Sequence, residues 1–437
     1  MASAANRPTN EKLHENSIPL LYAILVVVTG ILAVQLAQPQ VLARIPIQNL
    51  LKNELHASRT ATSAFFFWIG FPWYFKPFVG IFTDAFPLFG TRRRSYILIN
   101  SSLATISWAA LSFTPHQYGK LLTVVLIVNF FMVITSTVIG GYMVESAQRT
   151  AGSGRFSAIF NIVSWASVMI SGPLGGYLAS IAFGATTAAC GAVMFLLVPV
   201  AYFFLREKRM ALDPREMLGN AKTQLVNIAA ARTMWAAAGL MALFYIAPGF
   251  STALFYRQQD VLHLNTQTQG ILQFLGGVGS VAAAIWYGLT CKRVNLRNLL
   301  LLCLTVSTVT NLGYLVYSSL SRARVIDGIN GVGYTMAECA LMALAIRATP
   351  KGSEGLGFSL MMSVRNFALF GSDIFGSWLL DKYRVPFGAL VISNSAITAI
   401  AIPLVLLLPL SLVAKKDAEP AKESAAPAFA SSELADE

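Results

Sequence analysis

The chain has 437 residues, of which 55% are hydrophobic and only 12% are charged. Soluble globular proteins carry about 25% charged residues, so this composition excludes an ordinary soluble domain. A net charge of +12 would suggest nucleic-acid binding in a soluble protein. Here the basic residues lie between apolar segments, as the positive-inside rule describes for membrane proteins, and we expect no nucleic-acid partner.

Apolar segments recur along the whole chain, each near the ~20 residues that cross a hydrocarbon layer of about 30 Å. This pattern predicts an all-α membrane protein with about twelve transmembrane helices. A membrane barrel would instead show alternating segments of about ten residues, which this sequence lacks. The predicted spans are residues 18–38, 62–83, 94–114, 120–146, 156–180, 183–205, 234–256, 267–290, 298–319, 323–348, 355–379 and 387–413.

A polar insert at residues 206–233 divides the predicted spans into two six-helix halves, 18–205 and 234–413. Such a layout is typical of transporters built from two similar halves. The segment 1–17 is polar, contains acids and does not resemble a cleavable signal peptide. Enrichment in Ala, Glu, Ser and Pro predicts a disordered tail at 414–437. The distribution of Lys and Arg between alternate loops predicts that the insert and both termini are cytoplasmic.

The cysteines and histidines give no indication of a metal site. The four cysteines form no CxxC pair and lie in or beside apolar segments, which predicts buried structural thiols. The four histidines fall in predicted loops or in the N-terminal tail, without metal-ligand spacing. These residues are Cys190, Cys291, Cys303 and Cys339, and His14, His56, His116 and His263. We therefore expect no metal and no cofactor.

A charged turn interrupts the apolar pattern within residues 75–99, FKPFVGIFTDAFPLFGTRRRSYILI. Pro87 and Gly90 are expected to break the helix there. The pattern G-x-x-x-D-x-x-P-x-x-G-x-R-R-R-x-Y runs from Gly80 to Tyr96, and it resembles the loop 2–3 signature of the major facilitator superfamily. The resemblance implies the fold of that superfamily, with two six-helix halves.

The same resemblance implies a cytoplasmic gate. In the family fold the loop 2–3 aspartate lies near the start of the eleventh span, whose helix N-terminus attracts a carboxylate. Glu145 ends the fourth span and is expected near the arginines. The predicted gate residues are Gly80, Asp84, Gly90, Arg92, Arg93, Arg94, Glu145 and Arg149. The alternative is that the arginines are topology anchors only.

Three longer stretches resemble the folate-biopterin transporter family. They are residues 72–96, with a KP…G…D…P..G.RRR.Y block, residues 248–288, which begin PGFSTALFYRQQD, and residues 345–366, AIRATPKGSEGLGFSLMMSVRN. Two departures concern acidic residues. No acid precedes Glu145 in the fourth span, and Ser251 and Thr252 follow the proline of the seventh span where the family often has Asp. The resemblance therefore supports fold and transport more than it supports folate.

The sequence also places charged side chains inside predicted spans, namely Lys76, Glu338, Arg365 and Asp373. A charge within a bilayer is costly and normally faces a cavity. Glu338 and Arg365 fall at similar depth, Lys76 reaches that depth from the other half, and Asp373 lies about two turns beyond Arg365. The excess positive charge suits a carboxylate-bearing substrate, and Glu338 can exchange a proton. The alternative is a static Glu338–Arg365 pair that fixes helix packing.

The sequence thus predicts a secondary active transporter that moves a folate- or pterin-like organic anion with protons by alternating access. The alternatives are a permease for another small solute, such as a sugar, a peptide fragment or a siderophore-like compound, and a non-transporting membrane sensor. A Ser/His/Asp set and a GxxxxGKS/T loop are both missing, so we expect neither an enzyme nor an ATP-driven pump. We expect a monomer in the lipid bilayer of a plasma membrane, the inner membrane in bacteria.

Overall fold

The structure is a computed structural model that describes residues 10–149, 153–205, 207, 214–350 and 354–414. Within these ranges the ordered elements are helices, and the strand-like pairing is an isolated bridge between Leu88 and Thr91 in the charged turn. The prediction of an all-α protein is therefore confirmed. The tail predicted to be disordered lies outside the described residues from position 415 onward.

The predicted first half contains more helices than spans, because the second and sixth spans are each divided and a loop contains a helix. A π-helical turn, Leu50–Glu54, extends that loop helix, which the sequence analysis did not predict. The helices are α1 (Asn10–Leu36), α2 (Arg44–Asn49), α3 (Arg59–Ile69), α4 (Phe71–Tyr74), α5 (Lys76–Ala85), α6 (Arg94–Ser112), α7 (Tyr118–Arg149), α8 (Ser153–Leu178), α9 (Phe183–Phe195) and α10 (Leu197–Phe204).

The remaining helices follow the same scheme, and the first of them lies in the polar insert. Short 3-10 turns, Gly313–Val316 and Val405–Leu407, follow two of the helices. The helices are α11 (Pro214–Ala230), α12 (Arg232–Ile246), α13 (Ser251–Asp260), α14 (Thr266–Thr290), α15 (Leu296–Leu312), α16 (Leu320–Ala348), α17 (Glu354–Tyr383), α18 (Phe387–Leu404) and α19 (Leu410–Val413).

The predicted second and seventh spans are each interrupted, and proline accounts for both interruptions. Pro72 and Pro77 lie in the first turns of α4 and α5, where a missing backbone N–H costs least. In the seventh span the helix stops at Ile246, ahead of Pro248, and restarts at Ser251. A proline in a helix interior removes a hydrogen bond and clashes with the preceding turn, so a restart is favoured. The restarted helix α13 exposes a fresh N-terminus within the protein.

Seven helices among the described residues are long and apolar enough to cross a membrane. Two shorter apolar helices, Leu20–Leu36 and Ile162–Leu178, accompany them. The helix α17 is long but carries several charged side chains, and the segment α3–α5 is divided by its breaks. The seven are Tyr118–Met143, Phe183–Phe204, Arg232–Asp260, Thr266–Thr290, Leu296–Val316, Leu320–Ala348 and Phe387–Leu407.

The described residues form two large hydrophobic cores that follow the two halves of the chain. The buried members of one core lie between Ala23 and Leu205, and those of the other lie between Ile228 and Val413. A small cluster of Ile45, Ala179, Phe255 and Tyr256 joins the halves. Each half thus has its own apolar interior, and a smaller set of contacts connects them.

Helices α8 and α14 approach closely across the boundary between the halves. A Cβ on Gly270 would lie 2.2 Å from the carbonyl oxygen of Gly172, and one on Gly172 would lie 2.6 Å from the carbonyl of Gly270. Ser171 and Gln273 are hydrogen-bonded beside this crossing at 3.2 Å. Glycine is required here because any side chain would meet backbone atoms, as at many close crossings of membrane helices.

Candidate functional site

Arg365 on α17 is the centre of a charged cluster in the second half. Its Nη2 donates to Glu338 Oε1 on α16, its Nε donates to the Tyr245 hydroxyl at 3.2 Å, and its Nη1 donates to Asn366 Oδ1 at 3.0 Å. The guanidinium also lies 5.0 Å from the centre of the Tyr245 ring. The side chains of Arg365 and Glu338 are 18% and 16% exposed. We call Tyr245, Glu338, Arg365 and Asn366 the Arg365 cluster.

The Arg365 cluster keeps some capacity for a ligand. A guanidinium has five N–H groups, of which three donate to Tyr245, Glu338 and Asn366, and the Tyr334 hydroxyl on α16 lies beside the same guanidinium. The predicted pairing of Glu338 with Arg365 is present, and the hydrogen bond to Tyr245 is an additional contact that the sequence analysis did not predict. The cluster can hold a carboxylate either beside Glu338 or in its place.

Lys76 opens helix α5 in the other half. Its Nζ donates to the Ser136 hydroxyl on α7 at 3.0 Å and lies 5.3 Å from the centre of the Trp73 ring. Among the described side chains no carboxylate forms an ion pair with Lys76. Lys76 is therefore an ammonium group, within an otherwise apolar stretch, whose partners are a hydroxyl and an aromatic face.

Aromatic side chains connect the Lys76 turn to the Arg365 helix. Phe367 on α17 packs edge-on against Phe67 and Tyr74, with ring centres 5.5 Å and 5.6 Å away. The Ser363 hydroxyl lies 3.5 Å from the carbonyl oxygen of Trp73. The turn that carries Lys76 and the helix that carries Arg365 thus pack against each other at a boundary between the halves, with flat rings that suit an aromatic ligand.

Asp373, which was predicted to belong to the same site as Arg365, instead contacts the start of α13. It is buried, and its carboxylate accepts hydrogen bonds from the Thr252 amide at 3.0 Å and the Thr252 hydroxyl at 2.5 Å. Thr252 is in the first turn of α13, so Asp373 caps the restarted helix, where a negative charge is favoured. The Arg44 guanidinium reaches the same helix end and donates to the Ser251 hydroxyl at 2.6 Å.

Glu207, which the sequence analysis did not select, binds the backbone of the charged turn between α5 and α6. Glu207 accepts hydrogen bonds from the backbone amides of Arg92, Arg93 and Arg94, each at 2.9 Å. The guanidinium of Arg94 donates to the Tyr202 carbonyl at 3.0 Å. Glu207 thus fixes the start of α6 by satisfying amides that have no helical partner.

The remaining predicted gate residues are described only in part. The side chains of Asp84, Glu145 and Arg149 lie outside the residues whose side chains are described. Gly80 faces α7, since a Cβ there would lie 3.5 Å from Thr137, and Gly90 has a φ of 77°, which favours glycine. The predicted cytoplasmic gate around Asp84 therefore stays a prediction.

A network of polar contacts joins the halves at the face that carries residues 37–58 and 261–265, which we call the Lys52 face. Lys52 forms an ion pair with Asp260 and donates to Gln259 Oε1 at 3.0 Å. Arg59 pairs with Asp381 at 3.2 Å. The first partner in each pair belongs to the first half and the second to the other half, so these contacts hold the halves together at this face.

Further contacts support the same closure. The Tyr256 hydroxyl lies 2.9 Å from the Thr62 hydroxyl and donates to the Ala57 carbonyl at 2.5 Å. The Thr60 amide and hydroxyl both donate to Asp381 at 2.8 Å. The segment 44–60, which the sequence analysis treated as plain loop, contains α2, the π-helical turn and the start of α3, and it carries Lys52, Arg59 and Thr60 of this network. Its polar residues were hidden from prediction because they lie outside the apolar spans.

Asp327 on α16 is a further buried acid that the sequence analysis missed. The predicted span began at 323, which placed Asp327 about one turn from a membrane surface. The helix begins at Leu320, and Asp327 is 9% exposed, with both carboxylate oxygens accepting tyrosine hydroxyls. Asp327 lies within the mostly apolar sequence ARVIDGINGVGY. A charge within a span is costly, and this argument, which selected Glu338 as a candidate site residue, selects Asp327 as well.

Comparison with solved structures agrees with this architecture. The D-xylose-proton symporter superposes with a TM-score of 0.65 at 12% identity, covering 90% of this chain and 98% of that chain. The nucleoside transporter NupG superposes with a TM-score of 0.61 at 12% identity, covering 90% and 98%. At such low identity these matches establish the fold alone, which is the major facilitator fold with two six-helix halves.

Sequence comparison points to one family. The folate-biopterin transporter of Synechocystis sp. is 26% identical over 395 residues, covering 84% of this chain and 78% of the relative. Folate transporter 1 of Plasmodium falciparum is 24% identical over 394 residues, covering 86% and 76%. The probable folate-biopterin transporter 4 of Arabidopsis thaliana is 24% identical over 420 residues, covering 78% and 85%. The profile of the BT1 family matches residues 39–426, and the chain is a member of that family of membrane transporters.

Proposed function

We propose that the protein carries a folate- or pterin-like organic anion across a membrane by alternating access, together with protons. Membership of the BT1 family and the names of its folate and biopterin relatives support this substrate class. The observation that carries the proposal is the Arg365 cluster, a mostly buried guanidinium on a helix that packs aromatic rings against the other half. A charge at such a position normally serves a substrate or an ion.

Each residue of the proposed site has a separate role in binding the substrate. Arg365 grips a substrate carboxylate in a two-pronged arrangement, and Lys76 supplies a second positive charge from the other half. Glu338 competes for Arg365, so binding of the substrate releases Glu338 to take up a proton. The flat rings of Tyr74 and Phe367 stack on or beside a pterin ring. Asp373 supports the site indirectly by holding the start of α13.

The orientation follows from the distribution of basic residues. The positive-inside rule assigns the face that carries residues 86–93 to the cytoplasm, with both chain termini, and the Lys52 face to the outside. The halves 18–205 and 234–413, joined by the cytoplasmic segment 206–233, rock against each other. Contacts such as Lys52–Asp260 support a state in which the outer side is closed.

The gate on the cytoplasmic side uses Asp84, the arginines at 92–94, Glu145 and Arg149. The bonds from Glu207 to three successive amides support this part of the proposal, because they fix the turn that presents those arginines. We place the protein in a plasma membrane as a monomer. The fourth and seventh spans lack acidic residues that the family often has. Transport of another small solute is therefore one of the outcomes that the uptake experiment distinguishes.

The test is uptake of labelled folate and labelled biopterin into proteoliposomes, with and without an imposed pH gradient. We expect accumulation that collapses when a protonophore removes the gradient. Specific binding without uptake would contradict a transporter. Uptake of a labelled sugar in place of both pterins would contradict the proposed substrate class and leave alternating access standing.

The site is tested by Arg365→Gln, with Arg324→Gln as the matched control. Arg324 is an exposed arginine on α16 of the same half. Loss of a charge-assisted, two-pronged contact of about 3 kcal/mol corresponds to a loss of affinity of about a hundredfold. We therefore expect Arg365→Gln to reduce uptake about a hundredfold at low substrate while Arg324→Gln matches the wild type. Equal uptake by both variants would remove Arg365 from the site.

A further inference from the structure

Asp327 is a buried carboxylate that has no cationic partner among the described residues. Tyr314 donates to its Oδ1 at 2.9 Å and Tyr317 donates to its Oδ2 at 2.8 Å. It lies seven residues into α16, about 10 Å along the helix from its start. A carboxylate held in this way can exist as an anion, stabilised by two hydroxyl donors, or as a neutral acid, and the two forms differ little in size.

A hydrogen-bond relay connects Asp327 to the contact between the halves at the Lys52 face. Three glutamines and one tyrosine separate the carboxylate from an ammonium group of the other half. The steps are Lys52 Nζ to Gln259 Oε1 (3.0 Å), Gln259 Nε2 to Gln269 Oε1 (3.3 Å), Gln269 Nε2 to Gln258 Oε1 (3.2 Å), Gln258 Nε2 to the Tyr317 hydroxyl (2.7 Å) and the Tyr317 hydroxyl to Asp327 Oδ2 (2.8 Å).

Every step of the relay has the same direction. Lys52 can only donate and an ionised Asp327 can only accept, while each side chain between them does both. Hydrogen bonds aligned in this manner polarise one another and strengthen the whole series. Gln258, Gln269 and Tyr317 are buried, so water does not compete for their polar groups. The ionised form of Asp327 therefore stabilises the donor at the far end.

Other groups that titrate or carry charge near Asp327 are few. Tyr314 and Tyr317 come from the segment between α15 and α16, and Arg257 of α13 donates to the Tyr317 carbonyl at 3.3 Å. The first five residues of α16 include Arg322 and Arg324, both exposed. Helix α14, which packs against α16 here, contributes the amide of Gln269 and the backbone of Gly276. Among these groups Asp327 is the carboxylic acid, so it is the group that can change its protonation state near neutral pH.

Protonation of Asp327 weakens the hydrogen bond that Tyr317 donates to it, which is the last step of the relay. The neutral acid loses the charge that makes hydrogen bonds to a carboxylate about twice as strong as neutral ones, and its own O–H becomes a donor. The bond from Tyr317 weakens, the alignment through Gln258 and Gln269 weakens with it, and Gln259 holds Lys52 less firmly. A proton on Asp327 therefore favours separation of the halves at the Lys52 face.

We propose that Asp327 is a proton-binding site of this transporter and that the hydrogen-bond relay to Lys52 makes opening of the outer face depend on its protonation. The proposal rests on the proposed proton-coupled transport. It assigns the proton that crosses the membrane with the substrate to a residue outside the Arg365 cluster, whereas Glu338 gains and loses its proton as the substrate binds and leaves and adds no proton to the stoichiometry. Low external pH loads Asp327 and opens the outer side, and deprotonation closes it.

The first measurement follows conformation and needs no substrate. Spin labels replace the exposed residues Asn53 and Val261, on either side of the Lys52 face, in a background without the native cysteines. Pulsed EPR then gives the distance between them in the full-length protein. From about pH 8 to about pH 5, we expect the longer distance to gain population several-fold. Asp327→Asn, which mimics the neutral acid, should show the longer distance at every pH.

Tyr317→Phe and Tyr314→Phe form a matched pair for the relay. Each removes one hydroxyl donor from the same carboxylate, but only Tyr317 belongs to the relay. Tyr317→Phe should open the outer face at high pH, whereas Tyr314→Phe should stay closed there like the wild type. Equal behaviour of the two variants would overturn the relay, and an unchanged pH response in Asp327→Asn would overturn the site.

The second measurement follows transport. At one proton per substrate, with the membrane potential held at zero, a gradient of one pH unit drives about a tenfold accumulation, equivalent to about 1.4 kcal/mol. Asp327→Asn should lose this accumulation and still exchange labelled for unlabelled substrate. Tenfold accumulation by Asp327→Asn would overturn the inference while the proposed substrate stands. Failure of the wild type to carry any pterin would defeat the proposed function, and the distance measurement would then decide the inference alone.

Discussion

Arg365 shows what the sequence could predict at the scale of single residues. Its position in an apolar span, level with Glu338 on a neighbouring span, predicted the ion pair that the structure contains. Tyr245 and Asn366 were not assigned to the site, because uncharged polar residues are common in membrane helices and carry little signal. Asp373 has the same kind of signal as Arg365 but caps α13, since its partner Thr252 exists only because the seventh span breaks.

The geometry of Arg365 predicts a difference between arginine and lysine. Arg365→Lys keeps the charge but cannot donate to Tyr245, Glu338 and Asn366 at the same time in one plane. We expect folate uptake at low substrate to fall at least about tenfold, the equivalent of about one lost hydrogen bond to a charged group. Initial rates with surface expression measured in parallel check this. Full uptake by the lysine variant would indicate that only the charge matters.

At the scale of helices, the apolar spans could be predicted from the sequence, whereas the breaks within them could not. The apolar spans were predictable within a few residues for α6, α14 and α17, because hydrophobic runs of that length have few other uses in a chain. The breaks at Gly70, at Phe75 and before Ser251 were not predicted, although Pro72 and Pro77 were visible in the sequence. Proline in a membrane span is tolerated when neighbours satisfy the backbone, and a lone sequence does not reveal those neighbours.

The crossing of α8 and α14 gives a prediction with a built-in control. Gly270→Ala places a Cβ against the Gly172 carbonyl, so α8 and α14 must move apart at their crossing. A cysteine pair at Ser171 and Gln273 should then crosslink about tenfold more slowly than in the parent. Gly239→Ala on α12 meets no atom within 4 Å and should crosslink at the parental rate. Equal rates for both alanine variants would show that the crossing is not tight in the membrane.

The whole molecule combines a predictable frame with contacts that were not predictable. The six-plus-six arrangement, the charged turn and three family-like stretches were readable, and the fold and family are confirmed. The network at the Lys52 face could not be predicted, because it joins Lys52, in the π-helical turn after α2, to residues more than 200 positions away. Pairing of exposed polar residues across such separations leaves no periodic pattern in one sequence. That network nevertheless closes one side of the protein.

Alternating access requires that the two halves separate at the Lys52 face during each transport cycle. The direct test joins Lys52→Cys and Asp260→Cys with a short reversible thiol crosslinker, in a protein without its native cysteines, and compares substrate uptake before and after reduction. We predict that the crosslinked protein transports at the background rate and that reduction restores uptake to the level of the uncrosslinked variant. Uptake at the full rate through the crosslinked protein would contradict alternating access at this face.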